Sequence, residues 1–132
     1  MIQFFAPMEP PRTTAQQKQV SVVNGKPRFF EPEKLKDARA KLKAHIGRHA
    51  PIAPLDGPVK LLVKWCFPRG RHPEGSWKIT RPDTDNLQKL LKDVMTDCGF
   101  WQDDAQVCSE IAEKCWSETP GIFIRVEELT CS

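Results

Sequence analysis

The sequence predicts one small α+β domain, a mixed sheet packed with two main helices. Three observations lead there. Val59, Leu61, Val63, Trp65 and Phe67 interleave with Lys60, Leu62, Lys64 and Cys66, the period-two pattern of a half-buried strand. Leu35, Ala38, Leu42 and Ile46 form one helical stripe, and Leu87, Leu90, Leu91, Val94 and Met95 form a second. The length, 132 residues, suits a single domain that buries roughly two-thirds of its unfolded surface, enough to fold without disulfide or metal.

In chain order, Ile2–Ala6 is the first expected strand. Pro7, Pro10 and Pro11 then keep the chain extended as far as Arg12. Val20–Val23 and Lys26–Phe30 flank Asn24-Gly25, the two-residue turn signal, so 12–30 is expected to form a hairpin arm. Pro27 assigns part of that arm to a sheet edge. Pro32 suits the start of a helix that Gly47 ends. After the central strand, 68–82 read as a basic loop carrying Trp77, long enough to be mobile or functional. The second helix is expected from Asn86 to about Asp97, with Asp85 or Thr84 capping it and Gly99 as its left-handed stop. Strands around Val107–Trp116 and Ile122–Leu129 complete a domain spanning 1–132, with no internal repeat.

Composition excludes several classes. No stretch of 18 apolar residues occurs, and the N-terminus lacks the basic start and apolar length of a signal peptide. The five cysteines are an odd number without a C-x-x-C pair, and the histidines do not fall at zinc-finger spacing, which suits reduced thiols in a cytoplasmic protein. Neither a membrane nor a small-molecule organic cofactor is expected. The net charge of +3 hides a split: 1–80 carry fifteen Lys/Arg against six Asp/Glu, and 81–132 carry five against eleven. The plainer reading of this split is solvated surface; the sharper one is a cationic face for an anionic partner beside a carboxylate cluster that could hold a metal cation.

Those carboxylates surround the second helix. Asp83 and Asp85 are two apart in an extended approach, so their side chains can converge. Lys89 follows Asp85 by four on one helix face, and Asp93 continues it. Past Gly99 the chain reaches Asp103-Asp104, which a short return could carry back toward the first pair. Clustered carboxylates with few other ligands suit a hard cation, and magnesium takes one or two carboxylates plus substrate phosphate oxygens. The chemistry suggested is hydrolysis of a phosphodiester, with Lys89 stabilising phosphate charge. The plainer reading of Asp-x-Asp before a helix is a cap at the positive end of its dipole.

Asp83-Thr84-Asp85-Asn86-Leu87-Gln88-Lys89, a helix, and then Gly99-Phe100-Trp101-Gln102-Asp103-Asp104-Ala105-Gln106-Val107 closely resemble the RusA-type Holliday junction resolvases. Their pattern is D-x-D-N-L-x-K, a spacer and a W-x-D-D-x-Q-V-like segment. The resemblance implies a RusA-like resolvase fold and a homodimeric, structure-selective endodeoxyribonuclease. It implies paired cuts in four-way DNA junctions that leave 5′-phosphate nicks, with Mg2+ as cofactor and Mn2+ as a substitute. By position in the motif, Asp83, Asp85, Lys89 and Asp104 take the catalytic places. The resemblance implies Asp83, Asp85 and Asp104 as the metal ligands, with Asp103 the adjacent candidate. Lys114 matches a basic position on the following strand. Some members carry several arginines directly before the motif; here the segment is Trp77-Lys78-Ile79-Thr80-Arg81-Pro82, with further basic charge at Arg69 and Arg71. The expected DNA contacts are therefore Arg69, Arg71, Lys78, Arg81 and Lys114. A two-fold dimer suits a junction with two equivalent strands. The alternative is a junction-binding protein of the same fold without turnover.

Overall fold

The computed structural model describes residues 1–14, 19–23, 25–30 and 32–130, with 19–23 and 26–30 described by their backbone alone. The strands are β1 (Ile2–Pro7), β2 (Gln19–Val23), β3 (Lys26–Phe30), β4 (Val59–Pro68), β5 (Val107–Ser117) and β6 (Gly121–Glu128), with helices α1 (Glu33–Ile46) and α2 (Thr84–Cys98). Short 3-10 turns follow α1 and precede β5.

Four strands form a mixed sheet in the order β1-β6-β4-β5. β6 pairs antiparallel with both β1 and β4, and β5 lies parallel to β4 on the other edge. That parallel pair needs a crossover, and α2 supplies it. β2 and β3 form a separate antiparallel pair in the expected register, Val23 opposite Lys26. Gly25 has the positive φ of +76° that the turn needs; Asn24 lies outside the described residues.

The period-two pattern of β4 works as expected. Val59, Leu61, Val63, Trp65 and Phe67 are buried on the face that also takes Ile122, Ile124 and Val126 of β6 and Phe4 and Ala6 of β1. Leu35, Leu42 and Ile46 of α1 and Leu87, Leu90, Leu91, Val94 and Met95 of α2 pack into the same cluster. Each such side chain contributes about 1.5–3 kcal/mol by leaving water.

The helix ends differ in detail from expectation. Neither Asp85 nor Thr84 caps α2: Asp83 is the cap residue, and its carbonyl accepts the Leu87 N–H at 3.1 Å, so the helix starts earlier. At the other end Gly99 is left-handed, φ +88°, and its N–H reaches the Thr96 carbonyl at 3.1 Å. Gly47 does not stop the chain's helical course; it adopts right-handed geometry and opens a 3-10 turn.

Candidate active site

α2 is locked to the sheet by a polar residue at a core position. Trp65 Nε1 of β4 donates to Gln88 Oε1 at 2.7 Å, and Gln88 Nε2 donates to Glu110 Oε2 of β5 at 2.6 Å. Lys92 Nζ closes the network on Glu110 Oε1 at 3.1 Å. Gln88 is 4% exposed. Sequence reading passed over it; the available signal was a polar side chain at the 88, 91, 95 spacing of the buried stripe.

This seating leaves the mouth of α2 open. Asp83 and Asp85 are both exposed, and the Asp83 carboxylate makes no cap hydrogen bond. Lys89, one turn further along, is exposed too. Among the described residues none of these three side chains has a hydrogen-bond or ion-pair partner, so two carboxylates and an ammonium are available to a ligand. The approach to the mouth is held from β5: Lys114 Nζ donates to the carbonyls of Thr80 at 2.7 Å and Pro82 at 2.8 Å. The Arg81–Pro82 peptide between them is cis. Lys114 therefore braces the Asp83 approach with at least two of its donors.

Asp103 and Asp104 lie at the other end of the helix. Together with Asp93, Asp97, Thr96, Gln102 and Arg39 they line a shallow cavity by the last turns of α2. The return after Gly99 is pinned there. Trp101 Nε1 donates to Thr96 Oγ1 at 2.7 Å, and Gln106 Nε2 donates to the Leu55 and Gly57 carbonyls at 2.8 and 3.0 Å. Gln106 Oε1 also accepts the N–H groups of Gln102 and Asp103. From this turn β5 runs back beside α2, so the chain reaches the Asp83 end only at Lys114. The stretch of helix between the two acid pairs is roughly 20 Å long. The expectation that a short return brings Asp103-Asp104 beside Asp83 is thus not met within one chain, because the Trp101 and Gln106 bonds hold the turn where the helix ends.

The individual acids at this far end differ. Asp93 faces Arg39 at 3.7 Å, and Asp97 faces Lys43 at 3.4 Å. Asp103 accepts the Ala105 N–H at 2.9 Å in a capping box completed by Gln106. Asp104 is exposed and, among the described residues, its carboxylate has no partner. No group of three or more His, Cys, Asp or Glu side chains among the described residues converges to hold a metal. As a donor set, Asp83 with Asp85 still fits magnesium: two hard carboxylates, uncommitted and open to water, leave coordination places for substrate oxygens.

The five basic candidates also divide. Arg69 is engaged, pairing with Glu118 of the β5–β6 turn at 2.9 Å and donating to the His72 carbonyl of its own loop at 3.0 Å. Arg71 and Arg81 are exposed. Lys78 is only 8% exposed and lies over the rings of Trp116 and Phe67, 4.4 and 5.0 Å from their centroids. The 68–82 segment is stitched to the end of β5 by Gly75 N–H to Trp116 carbonyl at 2.8 Å, Trp116 N–H to Ser76 carbonyl at 2.9 Å and Lys78 N–H to Lys114 carbonyl at 3.1 Å. Trp77 stays 65% exposed.

The chain is similar to known proteins over most of its length. A family model described as Endodeoxyribonuclease RusA matches residues 7–127. A protein of Lactococcus phage r1t named "Crossover junction endodeoxyribonuclease rusA" is 32% identical over 120 residues, covering 89% of this chain and 90% of that protein. A Bacillus subtilis (strain 168) protein, "Uncharacterized protein YqaN", is 28% identical over 122 residues, 83% of this chain and 85% of its own. The Escherichia coli (strain K12) "Crossover junction endodeoxyribonuclease RusA" is 44% identical over 50 residues, 38% of this chain and 34% of that protein.

Proposed function

The chain belongs to the RusA endodeoxyribonuclease family, and on that premise we propose that it resolves four-way DNA junctions by metal-dependent phosphodiester hydrolysis. The observation that carries the reading is the α2 mouth, where Asp83, Asp85 and Lys89 stand exposed and uncommitted on one side of a helix start. From their places in the motif that resembles this family's, we assign catalysis to these three and to Asp104.

Each residue has a chemical task in this reading. Asp83 and Asp85 hold magnesium, with manganese as an expected substitute. Held there, the ion would supply polarisation of the scissile phosphate and a lowered pKa for the attacking water. Lys89 offers its ammonium to the charge that develops on the phosphate oxygens. The positive end of the α2 dipole adds to the attraction of phosphate at the same place. Cleavage then leaves a 5′-phosphate on each nicked strand.

Asp104, with Asp103 beside it, reaches such a site only from a second copy. We infer a homodimer for that reason. Two chains related by a two-fold axis, with their α2 helices running in opposite directions, set the start of one helix beside the end of the other. Each site then contains Asp83, Asp85 and Lys89 from one protomer and Asp104 from its partner. Two such sites match the two equivalent strands of a junction. Metal held there would also offset the repulsion between the acidic 81–132 portion and DNA.

The test is cleavage of a mobile four-way junction in magnesium at low salt, compared with linear duplex of the same arms. The expected outcome is paired nicks in the junction, none without divalent metal, and no cutting by Asp83→Asn protein that still binds the junction. Cleavage by Asp83→Asn would remove the assigned chemistry. Equal cutting of linear duplex would remove the junction selectivity. Binding by the wild type with no cutting under any divalent metal favours the non-catalytic binder instead.

A further inference from the structure

We propose that Arg12, Lys78 and Arg81, on a floor of Trp116 and Phe67, form a subsite for one backbone phosphate of the DNA strand beside the cut. This rests on the nuclease reading for the identity of the DNA, and on its own geometry for the anion.

Those five residues line a cavity of about 90 Å³ that, among the described residues, contains no acidic side chain. Lys78 is its unusual member. A lysine with 8% exposure needs a counter-charge or a set of acceptors, because burying an unpaired ammonium is costly. Among the described residues the structure provides one hydrogen bond from its Nζ, to Thr80 Oγ1 at 2.5 Å, and two aromatic faces. Burial and the nearby charges of Lys114 and Arg12 push the Lys78 pKa down. An anion in the cavity reverses the electrostatic part of that penalty. Arg12 pairs with Glu9 at 3.1 Å, but both side chains are more than half exposed, and such a pair is weak enough to open for a ligand.

The position of the cavity selects the ligand. Arg81 is two residues before Asp83, and Lys114 pins the carbonyls on either side of it, those of Thr80 and Pro82. A phosphate held here therefore belongs to the strand that passes the α2 mouth. Trp77 and Ile79, 65% and 93% exposed, flank the buried Lys78 along the same segment. The alternating pattern sends the cation inward to the pocket and the apolar side chains outward. A phosphate group fits the cavity, which has room for several waters or one tetrahedral oxyanion.

The experiment is junction binding without divalent metal, so that nothing is cut, using oligonucleotides with one neutral methylphosphonate at each position around the cleavage site in turn. Wild-type protein is expected to lose about tenfold in affinity at one or two adjacent positions, the scale of a lost charged hydrogen bond. Lys78→Met, which keeps the stem on Trp116, is expected to bind every oligonucleotide alike, with a salt slope shallower by about 0.9. Arg12→Gln, at an exposed position where folding is not at stake, is expected to blunt the same positions. Inorganic phosphate at constant ionic strength should compete better against wild type than against Lys78→Met. A wild-type methylphosphonate profile and salt slope retained in both variants overturns the subsite. A flat profile in wild type that nonetheless binds inorganic phosphate overturns the DNA assignment. Failure of the wild type to cut junctions in magnesium sinks the nuclease reading by a separate measurement, since the binding profile needs no turnover.

Discussion

Asp83 precedes the first turn of α2 and Asp104 follows its last, so the two carboxylates stand at opposite ends of a helix about 22 Å long. Ligands of one magnesium ion lie about 2 Å from it, so a single chain cannot offer both to the same ion. The dimer proposed above makes a sharp prediction. Asp83→Asn and Asp104→Asn should each abolish cutting. When the two proteins are mixed and allowed to exchange subunits, half of the sites in each mixed dimer are intact. Nicking of one strand should therefore return, without resolution of the junction. Dead mixtures, with exchange verified, would place the whole site within one chain.

The Gln88 bridge should be worth more than a surface hydrogen bond. Gln88→Leu leaves the Trp65 indole N–H buried without an acceptor, and a loss of about 1–3 kcal/mol in urea unfolding is expected. Adding Trp65→Phe removes the orphaned donor, so the double variant should recover part of that bridge term after the Trp65→Phe packing loss is measured alone. Strict additivity of the two losses would mean that the hydrogen bond contributes nothing to seating α2.

His49 should make stability fall with acid. Its ring stacks on Phe4 at 4.0 Å, and its Nε2 is buried without a partner among the described residues. Burial first, and the Arg48 charge second, hold its pKa below the ordinary 6.5. The unfolded chain therefore takes up a proton before the folded one does. Stability is complete above about pH 6.5 and declines as pH falls toward the folded value. His49→Phe should flatten the melting temperature across that acid window. An unchanged slope would assign the pH dependence to other groups.

Thiol reactivity should separate the cysteines. Cys66 and Cys115 face one another across the β4–β5 pair with sulfurs 3.6 Å apart, while Cys108 is exposed. Burial, and then Cys115 itself, push the Cys66 thiol up to about 12. At pH 8 that leaves roughly one Cys66 in ten thousand as the reactive thiolate. Peptide mapping after brief alkylation of native protein should find Cys108 modified and Cys66 untouched until urea is added. Early labelling of Cys66 would show that the β4–β5 edge opens readily.

The local parts of this molecule were legible because their physics is local. Period-two burial in β4 and the two helical stripes need only side-chain spacing. The same holds for the mouth of α2, where Asp83, Asp85 and Lys89 follow each other through at most six residues. The Gly99 stop required only the conformational freedom of glycine. Helix boundaries slipped by a turn or less, since Asp83 serves the cap through its backbone carbonyl and not through its carboxylate.

What only the tertiary structure decided depends on groups far apart in the chain. β5 pairs parallel to β4 and runs back along α2, a direction that side-chain period does not encode. Trp101 and Gln106 fasten the turn before it to Thr96, Leu55 and Gly57, and this keeps Asp104 away from Asp83. Gln88 became a core residue only because Trp65 and Glu110 meet it there. Lys78, one of five basic candidates in sequence, was set apart by the aromatic floor that β4 and β5 build beneath it. The identities of the chemical groups were thus written in the chain, and long-range strand pairing determined which of them share a site.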